Sequence, residues 1–171
     1  MSGKLLTIVL LGLGLVNASP IVKRSVATDI TTITSDVQKL DSDVTGWDGS
    51  LLTALPLLSD VTTIKDDINT AITDTNSSSA FSSSDSTTVT NEIVALQPII
   101  ATTLNDLVAK ASDVSAIGFT STVQSNLEDL KTLADQLTAA LDSKVTSSDA
   151  SSIETAATAI DSSFASAISA Y

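Results

Sequence analysis

The sequence predicts an all-α fold, an antiparallel bundle of about five helices. Three observations carry that prediction. Apolar residues recur at spacings of three and four along most of the chain, the signature of one buried helix face. No segment alternates with period two and no Asn-Gly hairpin turn interrupts the pattern, so strands have no support. The 171 residues include no Cys, so no disulfide can staple the fold and packing alone must hold it. Aromatics make up 3% of the chain, which makes the expected core aliphatic.

The first element is not part of the bundle. Residues 1–18 have the anatomy of a signal peptide: Lys4, then the apolar run Leu5 to Val16, then the small-residue site Val16-Asn17-Ala18. The run is too short to span a bilayer as a helix, so no transmembrane segment is expected. Residues 19–24 read as a short propeptide ending in Lys23-Arg24, a dibasic site for a kexin-type protease. The mature chain then starts at Ser25, or at Ser19 if the dibasic pair is not cut. Residues 25–171 form a single helical-bundle domain.

Its first helix carries the stripe Val26, Ile30, Ile33, Val37, Leu40, Val44 and Trp47, ended by Gly46 and Gly49. Ser50 caps a second, with Leu51, Leu55, Leu58, Val61, Ile64, Ile68 and Ile72. Pro56 there predicts a kink, or a start moved to about residue 55. The Ser-rich stretch 76–84 is a loop. Ser84 or Asp85 caps a third helix through Val89, Ile93, Leu96, Ile100, Leu104, Leu107 and Ala111, with Pro98 as a second kink. Residues 116–119 make a turn. Thr120 or Ser121 caps a fourth helix along Val123, Leu127, Leu130, Ala134, Leu137 and Leu141. Ser148 and Asp149 start a fifth, with Ile153, Ala157, Ile160, Phe164, Ile168 and Tyr171. Short connections favour antiparallel neighbours and an up-and-down bundle.

Composition narrows the chemistry. The formal net charge is -12, and removing Lys4, Lys23 and Arg24 with no accompanying acid takes it to -15. Such a surface repels nucleic acid and anionic headgroups and favours a soluble monomer. There is no His, which excludes Ser-His and Cys-His nucleophilic devices and the usual zinc sites. The acidic pairs Asp41/Asp43, Asp66/Asp67 and Glu128/Asp129 lack calcium-loop spacing and read as solvated helix faces. A carboxylate hydrolase built on Asp66 or Glu128 is the weakest reading. No catalytic residue, metal site or cofactor is expected. Asn76-Ser77-Ser78 is a glycosylation sequon at Asn76. Trp47 reads either as core or interface packing or as an anchor that inserts into an apolar surface or ligand. Phe81, alone in a polar loop, either folds back on the bundle or gates it.

The layout resembles the fungal hydrophobic surface-binding protein A family, which includes the cell-wall galactomannoproteins. The likeness rests on the signal peptide, on Lys23-Arg24 and on Ile30-Thr31-Thr32-Ile33, Asp36-Val37 and Leu40-Asp41. It continues through the Leu-Pro second helix, Gln97-Pro98-Ile99 and the Ala-rich end Phe164 to Tyr171. The resemblance implies a secreted, extracellular, non-catalytic protein, in some members wall-associated. It would adsorb to hydrophobic solids, recruit a secreted polyester hydrolase there, or hold a long-chain fatty acid inside the bundle. A structural wall glycoprotein without a pocket is the alternative. The end at Ala170-Tyr171 gives no expectation of a GPI anchor. Burying a methylene is worth about 0.8 kcal/mol, so a sixteen-carbon chain grosses on the order of 12 kcal/mol before ordering costs. The lining chosen from the stripes is Leu55, Leu58, Ile100, Leu104, Phe119, Leu127, Leu130 and Phe164, each equally well explained as ordinary core.

Overall fold

The computed structural model describes residues 25–171; the expected signal peptide and propeptide lie outside the described residues. The chain forms α1 (Val26–Gly46), α2 (Leu51–Ser77), α3 (Ser83–Ala109), α4 (Ala111–Ala116), α5 (Thr120–Asp142) and α6 (Ser147–Ser169). The described residues are all-α, as expected, with the six-residue α4 as an addition to the five helices read from the stripes.

Local chemistry sets the boundaries. Ser25, Ser50, Ser82 and Thr146 are extended N-caps whose hydroxyls accept from the backbone N–H three residues on. The caps of α3 and α6 therefore lie upstream of the expected Ser84 or Asp85 and Ser148. α5 begins after Phe119 without any side-chain cap, so neither Thr120 nor Ser121 serves. α4 ends in a Schellman motif. The Phe119 N–H donates to the Val114 carbonyl and the Gly118 N–H to the Ser115 carbonyl, with Gly118 at φ +74°. Hydroxyls along the helices bond back onto the preceding turn without ending it. Thr31, Thr34, Thr62 and Thr88, for example, donate to the carbonyl four residues back.

Neither proline ends its helix. α2 starts at Leu51 rather than near 55 and runs through Pro56, and α3 runs through Pro98. Each proline deprives the carbonyl four residues earlier of its donor. Those residues are Leu52, 80% exposed, and Val94, 46% exposed, so the orphaned carbonyls lie on the outer side where water can serve them. α3 is long and apolar enough, by length and composition only, to cross a membrane. It packs between α1 and α6, burying Val89, Ile93, Leu96 and Leu104.

Successive long helices reverse direction, but sequence neighbours are not always spatial neighbours. α2 and α3 do not pack together. The helices close a ring in the order α1, α2, α5, α6, α3 and back to α1. α3 and α6 run parallel: Ser86 at the start of α3 binds the Thr146 N–H at the start of α6, and the Tyr171 hydroxyl binds the Leu107 carbonyl near the end of α3. A five-membered ring is wider than a four-helix bundle. With neighbours about 9 Å apart, a regular pentagon puts each axis about 8 Å from the centre, whereas a square puts it near 6 Å. Side chains reach only about 5–6 Å from a helix axis, so the ring has room to be hollow.

Candidate functional site

The ring is filled at one end and hollow at the other. At the end where α1, α3 and α6 begin, Ile30, Leu141, Ile153 and Ala71 are sealed from solvent. Ser86 is also sealed. It donates to Asp149 at 2.5 Å and accepts from the Thr146 N–H at 2.8 Å. Phe81 packs back onto the core, its N–H bonded to the Lys144 carbonyl, so the loop aromatic belongs to the bundle. The Lys144 ammonium closes the C-terminus of α2 by donating to the carbonyls of Asn76 and Ser78. Asn76 sits exposed in the last turn of α2, not in the following loop where the sequon was expected.

At the other end, α4 crosses the bundle. Trp47, Ala54 and Val114 form a small buried cluster, with Ile117, Phe119 and Val123 packed around it. Trp47 is buried, its indole N–H bonded to the Ser50 carbonyl at 2.9 Å, so it is packed in the bundle and presents no anchor to an outside surface. Tyr171 is anchored on α3 by its hydroxyl, and burial pushes its pKa up to about 12.

Below this cluster lies a cavity of about 130 Å³. α1 contributes Ile33, Val37, Leu40, Val44 and Trp47 to its wall, and α2 contributes Leu57, Leu58, Val61, Ile64 and Ile68. The other helices complete the lining with Ile100, Leu104, Leu107, Phe119, Leu127, Leu130 and Phe164 among others. From Ile33 to Trp47 the wall runs along α1 for about 21 Å at 1.5 Å per residue. A second space of about 50 Å³ shares Ile33, Ile68, Ile100 and Ala134 with the first and continues it towards the filled end. The main space is close to the ~150 Å³ at which an apolar cavity stays dry yet admits an apolar guest.

Seven of the eight residues picked from the stripes, Leu58, Ile100, Leu104, Phe119, Leu127, Leu130 and Phe164, stand in this wall. Leu55 does not. It is 55% exposed and points away, because Ala54 and Leu57 hold the inward positions of that turn and the small Ala54 lets Trp47 approach. The sequence choice also omitted α1, whose stripe makes one whole side of the cavity. The lining's polar members are Thr103 and Asn126, and both are occupied. Thr103 donates to the Ile99 carbonyl. Asn126 accepts from the Lys65 ammonium at 2.8 Å and donates to the Thr122 carbonyl. Lys65 is paired in turn with Asp129 at 2.7 Å. The acidic pairs lie on outer helix faces, Asp43 bound to Lys39 and Asp129 to Lys65. A wall of this kind can desolvate and hold an alkyl chain; it offers no group positioned for bond-making chemistry.

Comparison with known proteins agrees with the geometry. No curated protein matches the sequence. Among solved structures, Afmp4p in complex with palmitic acid superposes with a TM-score of 0.83 at 35% identity, covering 85% of this chain and 96% of that one. Ligand-binding domain 1 of the Penicillium marneffei MP1 protein, complexed with arachidonic acids, gives 0.78 at 17% identity over 84% and 93% of the two chains. Domain 2 of the same protein, complexed with multiple arachidonic acids, gives 0.79 at 21% over 87% and 97%. These last two likenesses are of fold alone. The family model for hydrophobic surface binding protein A matches residues 24–143, and with that match over most of the bundle the chain belongs to the hydrophobic surface binding protein A family.

Proposed function

We propose that this chain is a secreted, non-catalytic carrier that binds a long-chain fatty acid in the cavity beneath α4. The observation that carries the reading is the wall itself, elongated along α1 and apolar but for two side chains whose polar groups are already bonded. The palmitic acid complex of a protein 35% identical to this one supports the ligand class. Desolvating the alkyl chain is the driving force, at about 0.8 kcal/mol per methylene buried. Trp47, the sole Trp of the chain, stands in the wall and reports occupancy. Palmitate titration is expected to change its fluorescence saturably with one-site behaviour, and native mass spectrometry of protein from its own host is expected to show bound acid. Protein that arrives empty and gives no saturable response would leave the structural glycoprotein reading in place.

One observation favours a second activity, adsorption to hydrophobic solids. Leu51, Leu52 and Leu55 are exposed together on the first turns of α2, beside the hollow end, and contiguous apolar surface of this kind marks contact sites. Replacing Leu52 and Leu55 by Ser is expected to weaken adsorption to polystyrene while leaving palmitate binding intact. Unchanged adsorption would remove this patch from the account. Recruitment of a secreted hydrolase to the coated solid is the extension of this reading, tested by whether that enzyme is retained only where the protein is.

A further inference from the structure

We infer that Lys110, at the junction of α3 and α4, receives the carboxylate of the bound fatty acid; this rests on the carrier reading above. The chain offers five lysines after Arg24: Lys39, Lys65, Lys110, Lys131 and Lys144. In a protein this acidic most are claimed. Lys39 holds Asp43 and Asp60, Lys65 holds Asp129, and Lys131 holds Asp135 and Asp161. Among the described residues, Lys110 and Lys144 make no ion pair. Lys144 lies at the filled end and spends two donors on the C-terminus of α2.

Lys110 lies at the hollow end. Leu107, one turn before it, and Val114, one turn after it, both line the cavity. Its ammonium donates to the backbone carbonyl of Trp47, another lining residue, at 2.9 Å. That bond closes the C-terminus of α1, which is the purely structural role available to it. It uses one of three donors. The remaining donors belong to a half-buried side chain flanked by these lining residues, and neither Asp106 nor Asp113, one turn to either side, comes within ion-pair distance of it. An incoming carboxylate supplies that counter-charge without displacing an existing ion pair. At Lys65 the same carboxylate would have to share the ammonium with Asp129, already bound at 2.7 Å, and pay for like-charge repulsion at contact distance. The acid therefore sits head at the α4 rim, with its chain running down the ring towards Ile33 and Ile68.

The test compares palmitate with methyl palmitate, the same chain without the charge, on the full bundle and on Lys110→Met, Lys110→Arg and Lys65→Met. A hydrogen bond to a charged group is worth enough for about a tenfold preference. The parent is expected to prefer palmitate by that factor, Lys110→Met to lose the preference with methyl palmitate binding unchanged, and Lys110→Arg and Lys65→Met to keep it. The carboxylate resonance of labelled palmitate is expected to titrate at higher pH once Lys110 is gone. Equal weakening of both ligands by Lys110→Met would make the residue a structural cap and overturn the inference. So would loss of the preference in Lys65→Met, or a parent that does not discriminate. A parent that binds neither ligand would overturn the carrier reading along with it.

Discussion

The two ends of this bundle are built from the same residues and do opposite things. At the filled end Ile30, Leu141 and Ile153 interlock around the ring axis, and Ser86, Thr146 and Asp149 tie α3 to α6 with hydrogen bonds. At the hollow end equally aliphatic stripes, Val37, Leu40 and Val44 against Leu58, Val61 and Leu104, face one another across open space. Hydrophobicity does not distinguish the ends; geometry does. At the filled end the α2–α3 connection folds inward and seats Phe81 on the core. At the other the chain spends its length on α4, which bridges the top without filling the space beneath. A five-helix ring is left hollow unless something is put inside it, and this chain plugs one end.

The sharpest way to break that contrast is to cut the same side chain at each end. Leu141 is sealed and packed on every side, so Leu141→Ala opens a new cavity and is expected to cost about 3–4 kcal/mol of stability. Leu104 is also buried but faces existing space. Leu104→Ala only enlarges that space and is expected to cost about 1–2 kcal/mol, because fewer contacts are lost. Urea unfolding of both variants decides it, and equal costs would mean the hollow end is as tightly packed as the other.

Filling the space is the converse. Ala134 stands where the large and small spaces adjoin. Ala134→Phe projects a ring into the void, and palmitate affinity is expected to fall at least tenfold, about 1.4 kcal/mol, in the fluorescence titration. Thermal stability is expected to hold or rise, since the ring gains contacts where none existed. Lost stability with unchanged affinity would place the ligand elsewhere.

How much of this the sequence could tell follows the same divide. The helices of 21 to 27 residues were legible because a 3–4 apolar period needs only neighbours along one chain. Leu55 misled because residues 51–58 are apolar at every position but Thr53, so the stripe has no unique phase there, and the partner Trp47 decides it. α4 was invisible at six residues, less than two turns of pattern. The hollow was illegible for a different reason: a stripe says which face is buried but not whether another side chain meets it. The α1 residues Ile33 and Val37 look the same in a sequence whether they touch a neighbour or a ligand. Lys110 and Asn126 carry no local signal, since their significance comes from Trp47 and Lys65, 63 and 61 residues away.

The smallest predicted effect concerns charge on the cavity's outer wall. Burial, the shared hydrogen bond with Asp67 and the charges of Asp67 and Asp60 push the Asp36 carboxyl up to about 6, against the partial relief of Lys39. These groups face one another across the seam of α1 and α2. In the unfolded chain Asp36 returns to its ordinary value near 3.8, so between the two values the folded protein binds more protons. The stability this group contributes is present below about pH 4 and is lost as pH rises through 6. Asp36→Asn is therefore expected to flatten stability between pH 4 and 6. At pH 7 it should gain about 1 kcal/mol, well under the full value of such a shift because the site is partly exposed. Asp142, at the filled end, is raised too, by burial first and then by Glu154, and supplies the control. If Asp142→Asn flattens the profile and Asp36→Asn does not, the pH-sensitive end of the bundle is the filled one. If Asp36 dominates, the wall that loosens at neutral pH is the seam of α1 and α2, the side of the ring that carries Val37, Leu40 and Val44 against Leu58 and Val61.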